Sequence, residues 1–166
     1  MQKKINVTRT IILAGVAGGT VEVLWVMMYC FGSPLSASLV AEEVARSFLP
    51  QMVGLTAVLT GLLIHYVLAL LIAAVAIFAY LRLFAGDIDE PAIFATSIAA
   101  LVAIWATNFF VVLPMVNPVF VTLMPYTVTL ISKIGFGIAM SWIFAARLSG
   151  LATEARRITQ ARLALR

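Results

Sequence analysis

Four polar side chains lie inside long apolar stretches of the sequence: Glu22, His65, Lys133 and Asn108. A charged group in the middle of a bilayer is costly, so it normally faces the protein interior, finds a partner and often marks a binding site or a proton pathway. A carboxylate, an imidazole, an ammonium and an amide could together bind an ion or a polar ligand, and imidazole changes charge near neutral pH. The sequence therefore predicts a ligand- or proton-binding site made of these four residues.

The four residues are also predicted to share one depth. Glu22 and Lys133 lie 13 and 14 residues from the basic residues Arg9 and Arg147, and His65 and Asn108 lie 17 residues from the corresponding ends of their own stretches. At 1.5 Å per residue these separations amount to about 20–26 Å. One layer at or somewhat beyond the middle of a bilayer is therefore expected.

Each of these residues also has a purely structural interpretation. Glu22 and Lys133 could form an ion pair that only fixes helix register, and His65 could be a hydrogen-bonded core residue. One histidine and one glutamate are too few ligands for a closed zinc site. Methionines near the stretch ends, with Cys30, could bind Cu(I), although methionine is also an ordinary packing residue. We expect no metal and no cofactor.

The elements that would position these residues are four apolar stretches. They cover approximately residues 10–31, 54–81, 92–116 and 121–146, the last beginning at about 119 or 121. A spanning helix needs about 20 apolar residues. With 63% hydrophobic residues, 11% charged residues and a mean hydropathy of +1.10, the chain has more apolar surface than a soluble domain of this size could bury. We predict an all-α integral membrane four-helix bundle, with residues 1–166 forming one transmembrane domain.

Small residues predict which helix faces pack, because in lipid they let backbones approach closely. Glu22, His65 and Lys133 lie on such stripes, whereas Asn108 does not. The predicted stripes are Gly15, Gly18 and Gly19; Gly61, Ala69, Ala73 and Ala76; Ala95, Ala99, Ala103 and Ala106; and Gly137, Ser141 and Ala145.

The connecting segments carry their own signals. Between spans one and two, helical spacing of apolar residues predicts a short amphipathic helix with Glu42, Glu43 and Arg46 largely on its polar side. Residues 86–91 form an acidic turn, and Asn117-Pro118 separates the last two spans. Residues 150–166 predict a basic interfacial helix. The apolar side between spans one and two comprises Leu35, Leu39, Val40, Val44 and Phe48.

Lysine and arginine are distributed unevenly between the two sides of the predicted helices. Nine lie on the side of the termini, Arg46 lies on the other side, and Lys133 lies within a helix. Cytoplasmic segments are enriched in these residues, so both termini and the basic tail 150–166 are expected in the cytoplasm. The net charge of +4 is thus a topology signal, and no nucleic-acid partner is expected.

Several motifs resemble those of a group of small bacterial four-helix inner-membrane proteins of unassigned function. The matching segments are 17–22 (Ala-Gly-Gly-Thr-Val-Glu), 32–34 (Gly-Ser-Pro), 61–66 (Gly-Leu-Leu-Ile-His-Tyr) and 108–114, from Asn108 to Pro114. Such proteins carry an acidic residue in helix one, the histidine in helix two and an Asn…Pro ending helix three. In helix four they carry a second histidine, where this chain has Lys133. The resemblance implies a location in the bacterial inner membrane.

Two classes of function fit these features. The chain could be a small carrier or proton-coupled transporter that uses the buried polar layer. Alternatively, it could be a non-catalytic accessory subunit or assembly partner of a larger membrane complex. Catalysis is not expected, because no nucleophile with an adjacent base is visible. The expected partners are membrane lipids and either further copies of the chain or a larger membrane complex.

Overall fold

In the computed structural model, the backbone is described for residues 6–83 and 90–164, and the side chains for residues 6–80, 82 and 90–147. Every described element is a helix, and four helical stretches are long and apolar enough to cross a membrane. The all-α prediction is confirmed. Residues 86–89 of the predicted acidic turn and the side chains of the predicted basic tail lie outside the described residues, and the last two residues of that turn, Glu90 and Pro91, begin a helix. The helices are α1 (Val7–Phe31), α2 (Ala37–Arg46), α3 (Gly54–Leu83), α4 (Glu90–Thr107), a π-helical turn (Asn108–Val112), α5 (Leu113–Val116), α6 (Pro118–Leu123) and α7 (Tyr126–Ala164).

The third apolar stretch contains a π-helical turn that begins at Asn108. The amide N–H of Leu113 donates to the carbonyl of Asn108, five residues earlier. The next residue is Pro114, which has no N–H and whose ring would collide with the carbonyl four residues before it in a regular α-helix. The wider turn accommodates the proline, and such turns are frequent at functional sites.

The long helix of the fourth span begins later than the sequence indicated. Asn117 caps α6 by accepting the amide N–H of Phe120 at 3.2 Å, and Met124 then has extended backbone angles (φ −133°, ψ 149°). A residue before proline is driven out of the helical region, so Pro125 interrupts the helix. The long helix α7 therefore begins at Tyr126 rather than at 119 or 121.

Helix α1 has the central place in the packing. It packs against α3 on one side and against α7 on the other, and α7 packs in turn against α4. Helices α3 and α4 make little contact with each other. The four long helices thus follow the order α3, α1, α7, α4, with a gap between α3 and α4 that we call the α3–α4 gap.

Three of the four predicted packing stripes face the protein interior, and one does not. The glycines of α1, Ala69 and Ala73 of α3, and Ser141 of α7 are buried. In α4, by contrast, the predicted alanines Ala95, Ala99 and Ala103 are exposed. Larger residues at the same four-residue spacing face α7 instead. These buried residues of α4 are Ile93, Ser97, Leu101 and Trp105.

Helix α2 lies against α3 and does not divide into the predicted faces. The carbonyl oxygen of Ala41 occupies the place where a side chain at Gly61 would begin, so only glycine allows this approach. Glu43 was predicted on the polar side but is only 4% exposed, whereas Phe48 of the predicted apolar side is 59% exposed. The reason is that Glu43 finds buried partners, as described below.

Candidate functional site

An ion pair joins α1 to α7. The ammonium Nζ of Lys133 lies 2.6 Å from Oε1 of Glu22 and donates to Oε2 at 2.8 Å. The side chain of Lys133 is 17% exposed and that of Glu22 is 13% exposed, so both are largely buried. The predicted contact between these two residues is confirmed, and their opposite charges cancel inside the protein.

Close packing of α1 on α7 holds this pair in place. A β-carbon added at Gly18 would lie 2.7 Å from the ring of Phe136, which is 1% exposed. Gly18 therefore makes room for the Phe136 ring. The Lys133 ammonium also lies 5.9 Å from the centre of that ring, within the range of a cation–π interaction.

His65 is fixed by the backbone of α1. Its Nε2 lies 3.1 Å from the carbonyl oxygen of Gly19, and a carbonyl can only accept, so Nε2 carries the hydrogen. In the neutral ring Nδ1 is then unprotonated and can accept a proton. His65 can thus become charged without losing its hydrogen bond to Gly19.

Tyr66 strengthens the contact between α1 and α3 beside the histidine. Its hydroxyl lies 3.1 Å from the hydroxyl of Thr20, and its ring meets the His65 ring edge-on at 5.4 Å between centres. Gly19 permits this approach, because a β-carbon there would lie 3.3 Å from the Tyr66 ring. The position of His65 is therefore determined by two neighbouring contacts.

Asn108 reaches the same region from the π-helical turn. It follows Trp105 by three residues, and the indole N–H of Trp105 donates to Thr129 of α7 at 2.9 Å. The sequence placed Asn108 off its packing stripe only because the alanine stripe was the wrong face. On the face that is buried, Asn108 is one helical turn beyond Trp105.

A cavity of about 340 Å³ brings all four predicted site residues together. Glu22, His65, Asn108 and Lys133, which we call the polar cluster, come from α1, α3, the π-helical turn and α7. The rest of the wall is largely apolar. It consists of Leu68, Ala69, Ile72, Ile104, Trp105, Thr107, Val112 and Phe136.

A second polar cluster, which the sequence did not predict, joins α2 to the start of α6. The side-chain amide of Asn117 donates to the carboxylate and the backbone carbonyl of Glu43, both at 3.1 Å. Arg46 donates to Glu43 at 2.8 Å and lies 2.9 Å from Glu42. The Asn117-Pro118 pair indicated a break between the last two spans, but nothing in the sequence linked Asn117 to Glu43. These contacts fix α2 in place.

The sulfur ligands considered from the sequence are brought together only in part. Met124 packs with Cys30 and Val40, whereas Met27 and Met28 are exposed. Among the described residues, no group of three His, Cys, Asp or Glu side chains could hold a metal ion.

Comparisons with known proteins leave the polar cluster as the main evidence on function. No family model matches the chain, and no curated protein or solved structure shows significant similarity to it.

Proposed function

We propose that the chain is a polytopic inner-membrane protein, folded as a four-helix bundle with both termini in the cytoplasm, and that it is a small proton-coupled carrier. One observation carries this proposal: three helices and the π-helical turn each place a polar side chain on one cavity. Packing alone would favour apolar residues there, because polar groups within a membrane are costly. The apolar helices and the nine-to-one distribution of basic residues support the membrane topology.

The charges of the polar cluster explain how a proton would be used. Glu22 and Lys133 cancel each other, so the cavity is neutral when His65 is neutral. Protonation of His65 at Nδ1 gives the cavity one positive charge. Binding a proton and binding a ligand are then linked, because the ligand's affinity differs between the two charge states. An ion pair that served only to fix helix register would need no histidine beside it.

Charge movement after a pH step tests whether His65 exchanges protons with water. Proteoliposomes on a solid-supported membrane would be stepped from about pH 8 to about pH 6, a range in which histidine ordinarily changes charge. A proton that moves from water to a site inside the membrane produces a transient current. We expect this current in the wild type and in Leu63→Ala, a matched change on the exposed side of α3, but not in His65→Ala.

Two outcomes would contradict the proposal. A wild-type protein without the current, or a His65→Ala protein that keeps it, would show that the polar cluster is structural. Thermal unfolding of each variant establishes that the protein is folded. An accessory subunit would instead show no current and would co-purify with its complex without crosslinking.

A further inference from the structure

The cavity is partly open, and part of its wall is both apolar and exposed. Three apolar residues of its wall are exposed: Leu68 of α3 by 41%, Ile104 of α4 by 39% and Val112 of the π-helical turn by 44%. They border the α3–α4 gap, where the ring of helices is not closed. In a membrane this gap faces lipid chains. A molecule that enters through it must therefore have an apolar part.

Four other residues of the cavity wall are polar. They are Glu22, Lys133, His65 and Asn108, and the ion pair contributes no net charge. When His65 is protonated, the site carries one uncompensated positive charge in a region of low dielectric constant. An anion bound beside this charge stabilises it. The best complement is a group with a single negative charge.

The other titratable groups around His65 do not change the net charge of the cavity. Across the cavity lie Glu22 of α1 and Lys133 of α7, which are paired with each other. On its own helix, Tyr66 contacts the imidazole edge-on. The residues contributed by α4 and the π-helical turn do not titrate, and the charged residues of α2, which also packs on α3, are not part of the cavity wall. Those α2 residues are Glu42, Glu43 and Arg46.

We propose that the cavity binds a monoanionic amphiphile, which enters from the bilayer through the α3–α4 gap and binds together with a proton on His65. The class is defined by one negatively charged headgroup, a carboxylate or a phosphodiester, on an apolar chain. At about 340 Å³ the cavity is near the lower end of the range for ligand pockets, about 300–1,000 Å³. The headgroup and the first carbons fill it, and the rest of the chain lies along the gap. This inference rests on the proposed function, since it names the ligand of the same site.

Trp105 provides a direct probe, because it lines the cavity. Bromine atoms quench tryptophan fluorescence at short range, so the probes are stearate and phosphatidylglycerol brominated on their chains. The protein is placed in bilayer nanodiscs with Trp142→Phe, because Trp142 is 68% exposed and would report on bulk lipid. The same measurement is made on this protein with Trp105→Phe added. The fluorescence that the added substitution removes is assigned to Trp105 in the cavity wall. We expect saturable quenching of this signal by at least one of the two probes, and the two together identify the headgroup.

The pH dependence gives the second readout. Because one proton binds with each anion, affinity rises as pH falls, by up to about tenfold per pH unit. His65→Ala should bind more weakly at low pH and lose this dependence. Filling the gap with Leu68→Phe and Ile104→Phe should weaken binding by about tenfold or more. The control Val67→Phe changes a residue of α3 that is exposed to a similar degree, 47%, but is not part of the cavity wall, so it should leave binding unchanged.

Three results would overturn the inference. The first is equal quenching by brominated phosphatidylcholine, which has no net charge, since bulk lipid would then simply fill the gap. The second is that neither anionic probe quenches the signal. The third is that binding to the wild type does not depend on pH. If the pH-step current persists in any of these cases, the carrier function stands and only the ligand class is wrong. If the probes bind as expected but no current appears, the site binds amphiphiles and the carrier function fails.

Discussion

The ammonium of Lys133 contacts both carboxylate oxygens of Glu22, at 2.6 and 2.8 Å. Each residue neutralises the other inside the protein. Removing one partner of a buried pair leaves an uncompensated charge, and this usually costs more than the pair itself contributes. The two residues are therefore expected to depend on each other far more than on their other neighbours.

Stability of three variants tests this dependence. Glu22→Gln alone and Lys133→Met alone should each lower the free energy of unfolding by about 3 kcal/mol. The double variant should lose less than either single variant, because no charge is left unpaired. Reversible unfolding in detergent measures all four proteins of the cycle. Losses that simply add would show that the pair contributes nothing through its charges.

At the scale of single residues, the sequence predicts contacts between two charged side chains better than contacts with neutral groups. Glu22 and Lys133 could be matched from opposite charge and similar depth alone. The partner of His65 could not, because it is the backbone carbonyl of Gly19, and every residue has a carbonyl. The Glu43–Asn117 contact was missed for a related reason: it joins residues from two connecting segments, which carry no depth signal.

At the scale of the helix, α4 and its π-helical turn show where the predicted packing face was wrong and where Asn108 lies. Alanine spacing favoured the wrong face of α4, since small residues indicate only that a close approach is permitted. The face that is buried carries Leu101 and Trp105 instead. Asn108 was chosen for its polarity, and in the structure it lines the cavity from the π-helical turn. The proline that accounts for this turn was visible in the sequence, but the turn itself was not predicted.

A π-helical turn contains one residue more than the α-helical path it replaces. Deleting the exposed Val111 together with Pro114→Ala should therefore restore a regular helix and leave the residues on either side in register. The matched control deletes Ala103, which is also exposed, in the same Pro114→Ala background. This control rotates everything beyond it by about 100°, given 3.6 residues per turn, and should expose Leu113, which is now buried.

Thermal unfolding and size-exclusion profiles distinguish the two deletions. We expect the Val111 deletion to remain monodisperse and the Ala103 deletion to aggregate or unfold at lower temperature. Similar behaviour of the two proteins would mean that the π-helical turn does not contain a separable extra residue.

At the scale of the whole molecule, apolar length alone predicted four candidate spans, because a helix must cover about 30 Å of hydrocarbon. The order α3, α1, α7, α4 could not be predicted. All four spans carry small residues, so the stripes do not reveal which helices become neighbours. The α3–α4 gap was equally invisible, since an open ring and a closed ring require the same composition.

The proposed orientation predicts where added cysteines react. In a Cys30→Ser background, Ser38→Cys lies near the start of α2 at an exposed position and should react with a membrane-impermeant maleimide in intact cells. Ile88→Cys, between α3 and α4, should react only after the membrane is opened. The distribution of basic residues is the physical reason. The opposite labelling pattern would contradict the orientation.

The Glu22–Lys133 pair also has a consequence for synthesis. Its two residues are 111 positions apart, and at about 5–20 residues per second a ribosome needs about 6–22 s to travel from one codon to the other. During that interval Glu22 is already part of a nascent chain that has no counter-ion for it. Until the last long helix, α7, has been synthesised, the Glu22 carboxyl must stay protonated or stay in contact with water in the insertion machinery. Chains cut short before Lys133 carry an acid with no counter-ion from α7.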